Sequence, residues 1–476
     1  MPIKKQLLIS AVMLTVMSLG GLLACTARDE AQQPQEKAPA SPSGWSLAEA
    51  AKPFAGRTIR LIGEDYPPLQ AIDKMKDDFE KATGITVEVE RYEADAVLQK
   101  IAFDLNSKTG RYDLIVQVYF DMGRLVTQGQ IRPMDAFLVS KQLHNPSFKP
   151  EEDLFPVWKT MGWFDGKLYG YPMMVLTMYT WYRKDLFEDA NERAAFKARY
   201  GYDLAAPQDW NQYKDISEFF TRPERDLYGT LIQGKRHMAL WQEYINFLYS
   251  FGGAVMDSKE PSAYGPIVIN SPEAIEATEY YKSLLKYSPP DSLNFTWDDA
   301  LALMQQGKVA MCLMWTDSTY ALEDPKQSKV AGKMGYAMIP EGKAGRVHQI
   351  GGQSYYVPVT SKNPEAAYLF IEWMMQANNQ IRQQKLGGAS ARKSTYQDPE
   401  VLSLPWTSAS IAALEHTHPA MLYTVPESLQ IGDVIQLAIS DALSEQKSVK
   451  DALDWAAVEI KRILGNKAEM KYPLGK

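Results

Sequence analysis

Cysteine is nearly absent from this 476-residue chain, which holds only Cys25 and Cys312. A disulfide scaffold is therefore excluded. Histidine is scarce too, at five residues, and of these only His416 and His418 stand close together. Two-residue spacing on a helix would point them apart, so no metal site is expected. No His-Glu-x-x-His run, Gly-x-Ser-x-Gly elbow or phosphate-binding Gly-rich loop occurs, and no cofactor is expected. Basic charge is not in excess: 51 Lys and Arg stand against 58 Asp and Glu, a net charge of −7. Such a surface is a poor partner for nucleic acid. Beyond Cys25 no apolar run approaches the ~20 residues needed to span a bilayer.

What is present is a well-packed composition, 45% hydrophobic and 11% aromatic. The chain far exceeds the ~250 residues at which a single core stops growing, so two lobes or domains are expected. At its start, Lys4 and Lys5 precede an apolar stretch from Leu7 to Leu19 that ends in Leu22-Leu23-Ala24-Cys25. That is the order of an export signal, and it is too short for a membrane-spanning anchor. The run ending at Cys25 resembles the lipobox of bacterial lipoproteins. The resemblance implies that residues 1–24 are a signal peptide and that Cys25 is acylated, as with palmitate. The mature chain is then expected outside the cytoplasm, lipid-anchored to the cell membrane on its periplasmic side or outer surface. Residues 26–43, rich in Gln, Pro, Ala and Ser, have too little apolar surface to repay ordering. A flexible linker is expected over residues 25–50. Cys312, inside the apolar run Ala310 to Met314, reads as a small core residue, which leaves no internal disulfide.

The body alternates between strand and helix. Thr58 to Ile62 reads as a strand, followed by a helix with Ile72, Met75, Phe79 and Ala82 on one face and Gly84 as its stop. Ile85 to Val89 is a second strand, Val97, Leu98, Ile101 and Leu105 mark a second helix, and Leu114 to Val118 a third strand. This succession predicts an α/β lobe with a mainly parallel sheet, whose ligands sit beyond the carboxyl ends of the strands. The loops at Asp65-Tyr66 and Tyr119-Phe120-Asp121 lie at those ends. Ser271-Pro272-Glu273 and Asn363-Pro364-Glu365 each place a capping residue before a proline and an acid, predicting two helix starts. Ser448 to Asp451 opens a last helix that runs to Gly465 with Leu453, Ile460 and Ile463 inward.

The order of these segments carries a resemblance. Phe79-Glu80-Lys81-Ala82-Thr83-Gly84-Ile85, Asp113-Leu114-Ile115, Gly166 to Pro172 and Tyr182 to Phe187 resemble, in sequence order, the extracellular solute-binding proteins (family 1) of bacterial ABC sugar importers. Pro207-Gln208-Asp209-Trp210, Phe251-Gly252-Gly253, Gln306 to Met311, Gly351-Gly352 and Ser361 to Ala367 continue that order over essentially the whole mature chain. The resemblance implies a two-lobed periplasmic binding protein-like fold of type II. Each lobe would be a mainly parallel sheet flanked by helices, with a hinge of crossing strands. By analogy the lobes comprise residues 51–172 with 345–391 and residues 173–344 with 392–476. The chain would leave the first lobe near Pro172, return near His348 and cross again near Arg392.

A sugar presents apolar C–H faces that stack on flat rings, and hydroxyls that need planar polar partners. Read against the family, first-lobe ligand contacts fall at Asp65, Tyr66, Tyr119 and Asp121, and second-lobe contacts at Trp241, Glu243, Trp315 and Asp317. Gln353 and Tyr355 follow the paired glycines, and Arg392 lies where the family often places a late polar contact. Trp163, Tyr179, Trp181 and Trp210 read as packing residues. The function implied is a lipid-anchored, non-enzymatic, monomeric receptor. It would capture a carbohydrate and deliver it to the transmembrane subunits of an ABC permease. A binding protein for another solute, such as a glycerol phosphate ester or a polyamine, is the alternative. A secreted glycoside-acting enzyme, with two carboxylates at a defined separation, is a rival class. A surface adhesin or sensor partner on the same fold is a third.

Overall fold

A computed structural model describes residues 44–418, 423–472 and 474, all of which belong to one unit spanning Ser41–Lys476. The expected signal peptide, Cys25 and most of the expected linker lie outside the described residues. The linker's expected end at residue 50 is corrected. Ser46 accepts from Glu49 N and starts a helix over Leu47–Ala51, which packs against the helices Pro67–Thr83 and Pro364–Met374.

Among the described residues nine strands form: β1 (Thr58–Glu64), β2 (Thr86–Tyr92), β3 (Leu114–Val118), β4 (Trp163–Phe164), β5 (Lys167–Leu168), β6 (Gly170–Arg183), β7 (Met311–Trp315), β8 (Met334–Ala337) and β9 (Ile350–Tyr356). β4 and β5 make a small hairpin, and the other strands form a seven-stranded sheet in the order β2-β1-β3-β9-β6-β7, with β8 also on β6. The expected first strand extends two residues further, through Gly63 to Glu64.

The helix between β1 and β2, Pro67–Thr83, starts with proline where a missing N–H costs nothing and stops at Gly84, whose φ of 72° is left-handed. Ile72, Met75 and Phe79 face inward as expected, and Phe79 meets Phe370 edge-on at 5.0 Å. Ala82 is exposed, and Thr83 turns inward in its place, its hydroxyl donating to Phe79 O. The helix Pro272–Ser283 has its expected Ser271 cap. Asn363 precedes Pro364–Met374 without a capping hydrogen bond. Its amide donates to Thr58 O, while Asp113 Oδ1 accepts from Ser361 Oγ, Lys362 N and Asn363 N. The last helix, Val449–Leu464, has its Ser448 cap and Gly465 end.

Strand direction refines the expectation of two parallel sheets. β1 pairs in parallel with β2 and β3, but β9 runs antiparallel to both β3 and β6. β7 and β8 are antiparallel to β6, and in that half the bridge between Tyr228 and Val309 is parallel. The reason lies in β6. Its run from Gly170 to Trp181 is buried throughout, and a strand covered on both faces can serve two sheets in succession. Gly170 to Thr177 pair with β9, while Met178 to Arg183 pair with β7 and β8. One strand thus joins the β2-β1-β3-β9 half to the β7-β8 half, which is the crossing-strand hinge of a two-lobed α/β binding-protein fold. The handover falls between Thr177 and Met178, later in the chain than Pro172.

Candidate functional site

The carboxyl end of β1 and the residues after β7 bring acids to the hinge from the two halves of the sheet. Glu64 closes β1, and its Oε2 accepts from Gln353 Nε2 at 2.9 Å. Gln353 Oε1 in turn accepts from Tyr66 Oη at 3.0 Å. Gln353 lies on β9 opposite Met174 of β6. From the other half, Thr316 N donates to Thr177 O, which seats Asp317, whose Oδ1 accepts from Ser318 N at 2.9 Å. Both constructions therefore hang on β6, three residues apart.

Desolvation pushes the Glu64 carboxyl up to about 7, and the charge of Asp317 adds to this, against the Gln353 hydrogen bond. Asp317 is pushed up to about 6 by burial, with Asp298 contributing. The Tyr66 phenol is raised by burial and then by Glu64 and Asp317. Asp298 is raised by burial and by its acidic neighbours Asp299 and Glu93, with His237 acting the other way. His237 accepts from Ala239 N at the start of the helix Met238–Ser250 and lies 4.7 Å from the Trp297 ring. The cluster is acidic, and once ionised, above about pH 7, it offers hydrogen-bond acceptors to hydroxyl or ammonium donors.

Of the residues expected at the site, Tyr66, Gln353 and Asp317 meet in this cluster. Trp315 joins them through the backbone. It ends β7 opposite Met178, and its ring covers Gly351, where a Cβ would lie 2.4 Å from Cζ3. Trp241 is buried against Gly432 and meets Phe120 edge-on at 5.7 Å, so it touches the loop after β3. Tyr119 is fully buried, its hydroxyl donating to Ile350 O at 3.2 Å. Tyr355 is also fully buried, and its hydroxyl has no hydrogen-bond partner among the described residues.

The others are engaged elsewhere. Asp65 is exposed and paired with Arg91 at 2.9 Å. Asp121 is buried and binds Arg124 twice, Oδ1 to Nε at 2.7 Å and Oδ2 to Nη2 at 2.6 Å, while Gln117 Nε2 also donates to it. Glu243 lies inside the body, accepting from Gln233 N at 2.9 Å and Tyr281 Oη at 2.6 Å, with burial pushing it up to about 7. Arg392 donates to Asp153 and to Met375 O, both at 2.7 Å, and bridges Leu154. Trp163, expected to pack, is 39% exposed. Tyr179 and Trp181 are fully buried, and Trp210 donates to Ser250 Oγ at 2.7 Å. Cys312 is buried in the core. His416 is exposed and His418 half-buried.

Glu64, Asp298 and the His237–Trp297 contact escaped the sequence reading. For Glu64 a signal existed: an acid ending an apolar strand, directly before the loop that was singled out. Among the described residues no group of three His, Cys, Asp or Glu could hold a metal, and no helix is long and apolar enough to cross a membrane. A groove of about 600 Å³ lined by Phe155, Val157, Tyr396, Ile411 and Leu414 shares no residue with the cluster.

The chain is similar to known proteins over most of its length. A mannitol-binding protein of Pseudomonas aeruginosa is 25% identical over 451 residues, 87% of this chain and 95% of that protein. An ABC transporter solute-binding protein of Agrobacterium vitis S4 with bound D-mannitol superposes with a TM-score of 0.70 at 26% identity, covering 88% of this chain and all of that one. One from Agrobacterium radiobacter K84 in complex with ribitol gives a TM-score of 0.76 at 24% identity, over 87% of this chain, and shares the fold. The model of the bacterial extracellular solute-binding protein family matches residues 64–381. With that match over most of the described body, and the hinged α/β architecture around it, the chain belongs to the bacterial extracellular solute-binding proteins.

Proposed function

We propose that this protein is the capture receptor of an ABC importer for a polyol or sugar, without catalytic activity. It holds its solute between two lobes and delivers it to the membrane permease. The observation that carries the reading is the Glu64–Gln353–Tyr66 chain on one half of the sheet, set beside Asp317 on the other. A solute bound there touches both halves, so its affinity for the closed arrangement exceeds that for the open one and drives closure. The similarity to mannitol-binding proteins supports a polyhydroxylated solute. Glu64, Tyr66, Gln353 and Asp317 are the contacts we assign, with Trp315 and Trp241 as the flanking rings.

The lobes in this reading take residues 51–172 with 345–391 and residues 173–344 with 392–476, with β6 crossing between them. Cys25 carries the lipid, and residues 26–43 tether the body near its permease, raising the effective concentration of receptor there. The protein acts as a monomer.

Titration with neutral polyols and sugars tests the solute class. Trp315 ends β7 two residues before Asp317, so its fluorescence is expected to change on saturation by one of them, without turnover. A response only to amino acids or polyamines refutes the assignment. Radiolabelled palmitate in the intact protein, lost in Cys25→Ala, tests the anchor.

A further inference from the structure

Resting on the reading that the Glu64 cluster faces the solute, we propose that Glu64 and Asp317 form a charge filter that admits donor-rich, non-anionic solutes and rejects the acids derived from them.

The charged groups acting on Glu64 are acidic, Asp317 after β7, Asp298 on the helix Trp297–Gln305 and Glu93 after β2, with the Gln353 hydrogen bond acting the other way. Asp298 also acts on Asp317, and Asp299 and Glu93 act on Asp298. His237 is the one group of opposite sign acting on Asp298. The remaining titratable neighbours, Tyr66 and Tyr355, are phenols that burial keeps neutral. Arg91, which stands on β2 opposite Gly63 of β1, is paired with Asp65 and Asp73.

An ionised carboxylate accepts hydrogen bonds and cannot donate. Vicinal hydroxyls satisfy Glu64 and Asp317 at once, each donating to one of them. A solute carboxylate or phosphate brings further acceptors and a like charge into a half-buried site, where water screens it poorly. Gln353 fixes Glu64 in this role, because its amide accepts from Tyr66 and so must present its NH₂ to the carboxylate. The site thus opposes the glycerol phosphate ester alternative.

The experiment pairs each polyol with its aldonate, D-mannitol with D-mannonate and ribitol with ribonate, so that one carboxylate is the only difference. Calorimetry on the full chain at about pH 8 is expected to favour the polyol by about 100-fold or more. Glu64 titrates at about 7 and Asp317 at about 6, so at about pH 5 the preference should shrink to tenfold or less while the aldonates stay ionised. The double variant Glu64→Gln, Asp317→Asn should lose most of the preference at about pH 8. Equal binding of polyol and aldonate there, or an unchanged ratio in the variant, overturns the filter.

If no polyol or sugar binds, the capture reading falls, and the filter is judged without solute. Small-angle scattering of the ligand-free chain should then show the radius of gyration growing from about pH 5 to about pH 8 as the carboxylates ionise and repel. The same growth in the double variant overturns the filter.

Discussion

Replacing Gly351 by alanine tests how firmly Trp315 is seated at the hinge. A Cβ on residue 351 would stand 2.4 Å from Trp315 Cζ3 and 2.6 Å from Cη2, well inside the ~3.5–4.0 Å optimum for carbon pairs. The backbone has little room to retreat, since residue 351 pairs with Leu176 of β6. Nor can Trp315 swing freely. Its neighbours are held by β7 pairing with Met178 and by Thr316 N on Thr177 O. Overpacking of this kind costs about 1–3 kcal/mol. Trp315→Ala, which empties a large buried site, should cost about 3–5 kcal/mol.

The decisive quantity is the coupling between the two. If the ring is what alanine meets, Gly351→Ala becomes harmless once the ring is gone. It can even stabilise by about 0.5 kcal/mol, because alanine restricts the unfolded chain and Gly351 does not have a positive φ. The coupling energy should then be about 1–3 kcal/mol, favouring the double variant over the sum of the singles. Urea unfolding of the four proteins, followed by far-ultraviolet circular dichroism because a tryptophan is lost, gives each value at constant slope. An equal cost of Gly351→Ala in both backgrounds refutes the ring contact.

Three further predictions follow from the ionisable groups. Glu243 and Glu64 are pushed from 4.5 up to about 7 and Asp317 from 3.8 up to about 6. The fold therefore holds their protons more tightly than the unfolded chain, and this stabilisation, present below the unfolded values, is lost as pH rises through 6 to 7. His348, held down to about 4 by burial, acts oppositely: its contribution is present above the unfolded value of 6.5 and is lost as pH falls toward 4. Glu243→Gln should remove on the order of 3 kcal/mol of the decline between about pH 5 and pH 8; thermal melts with unchanged pH dependence refute this. Asp121→Asn, by breaking the doubled contact with Arg124, should cost about 2 kcal/mol in urea unfolding and leave solute affinity within about twofold. Asp113→Ala leaves Lys362 N and Ser361 Oγ short of an acceptor and should cost about 1–3 kcal/mol, measured the same way.

The parts of this molecule legible in its sequence are those set by local chemistry. The period of Ile72, Met75 and Phe79, the left-handed Gly84 and the Ser271 and Ser448 caps each act within a few residues, and each element forms where they place it. Asn363 shows the limit. Its capping chemistry is intact, but Asp113, 250 positions away, holds its N–H and Thr58 O takes its amide. The site divides in the same way. Loop position singled out Tyr66 and Asp317, which act on the Glu64 carboxyl or on its partner Gln353, whereas Asp121 and Asp65 are paired with Arg124 and Arg91. Glu64 was missed because strand alternation assigns a face and not a partner, and its partner Gln353 is 289 residues away.

The sheet that brings these residues together also explains how they can part. Gln353 registers with Met174 and Thr316 binds Thr177, so the two carboxylates are attached to β6 about 10 Å apart along the strand. Between the attachments lie Val175 and Leu176. Opposite them on β9 stand Gly352 and Gly351, the one stretch of the crossing where the partner strand carries no side chains. Gly352 holds a φ of 131°, open to glycine and strained for other residues, and a Cβ there would meet Met174 O at 2.3 Å. Bending between residues 174 and 177 is therefore unopposed by β9 side chains, while the pairs beyond each end keep their register. Rotation confined to that interval moves Glu64 relative to Asp317 without breaking either anchor. In the capture reading proposed above, closure is a change of angle between two half-sites, and the paired glycines on β9 that leave that interval free of side chains also give Trp315 its seat.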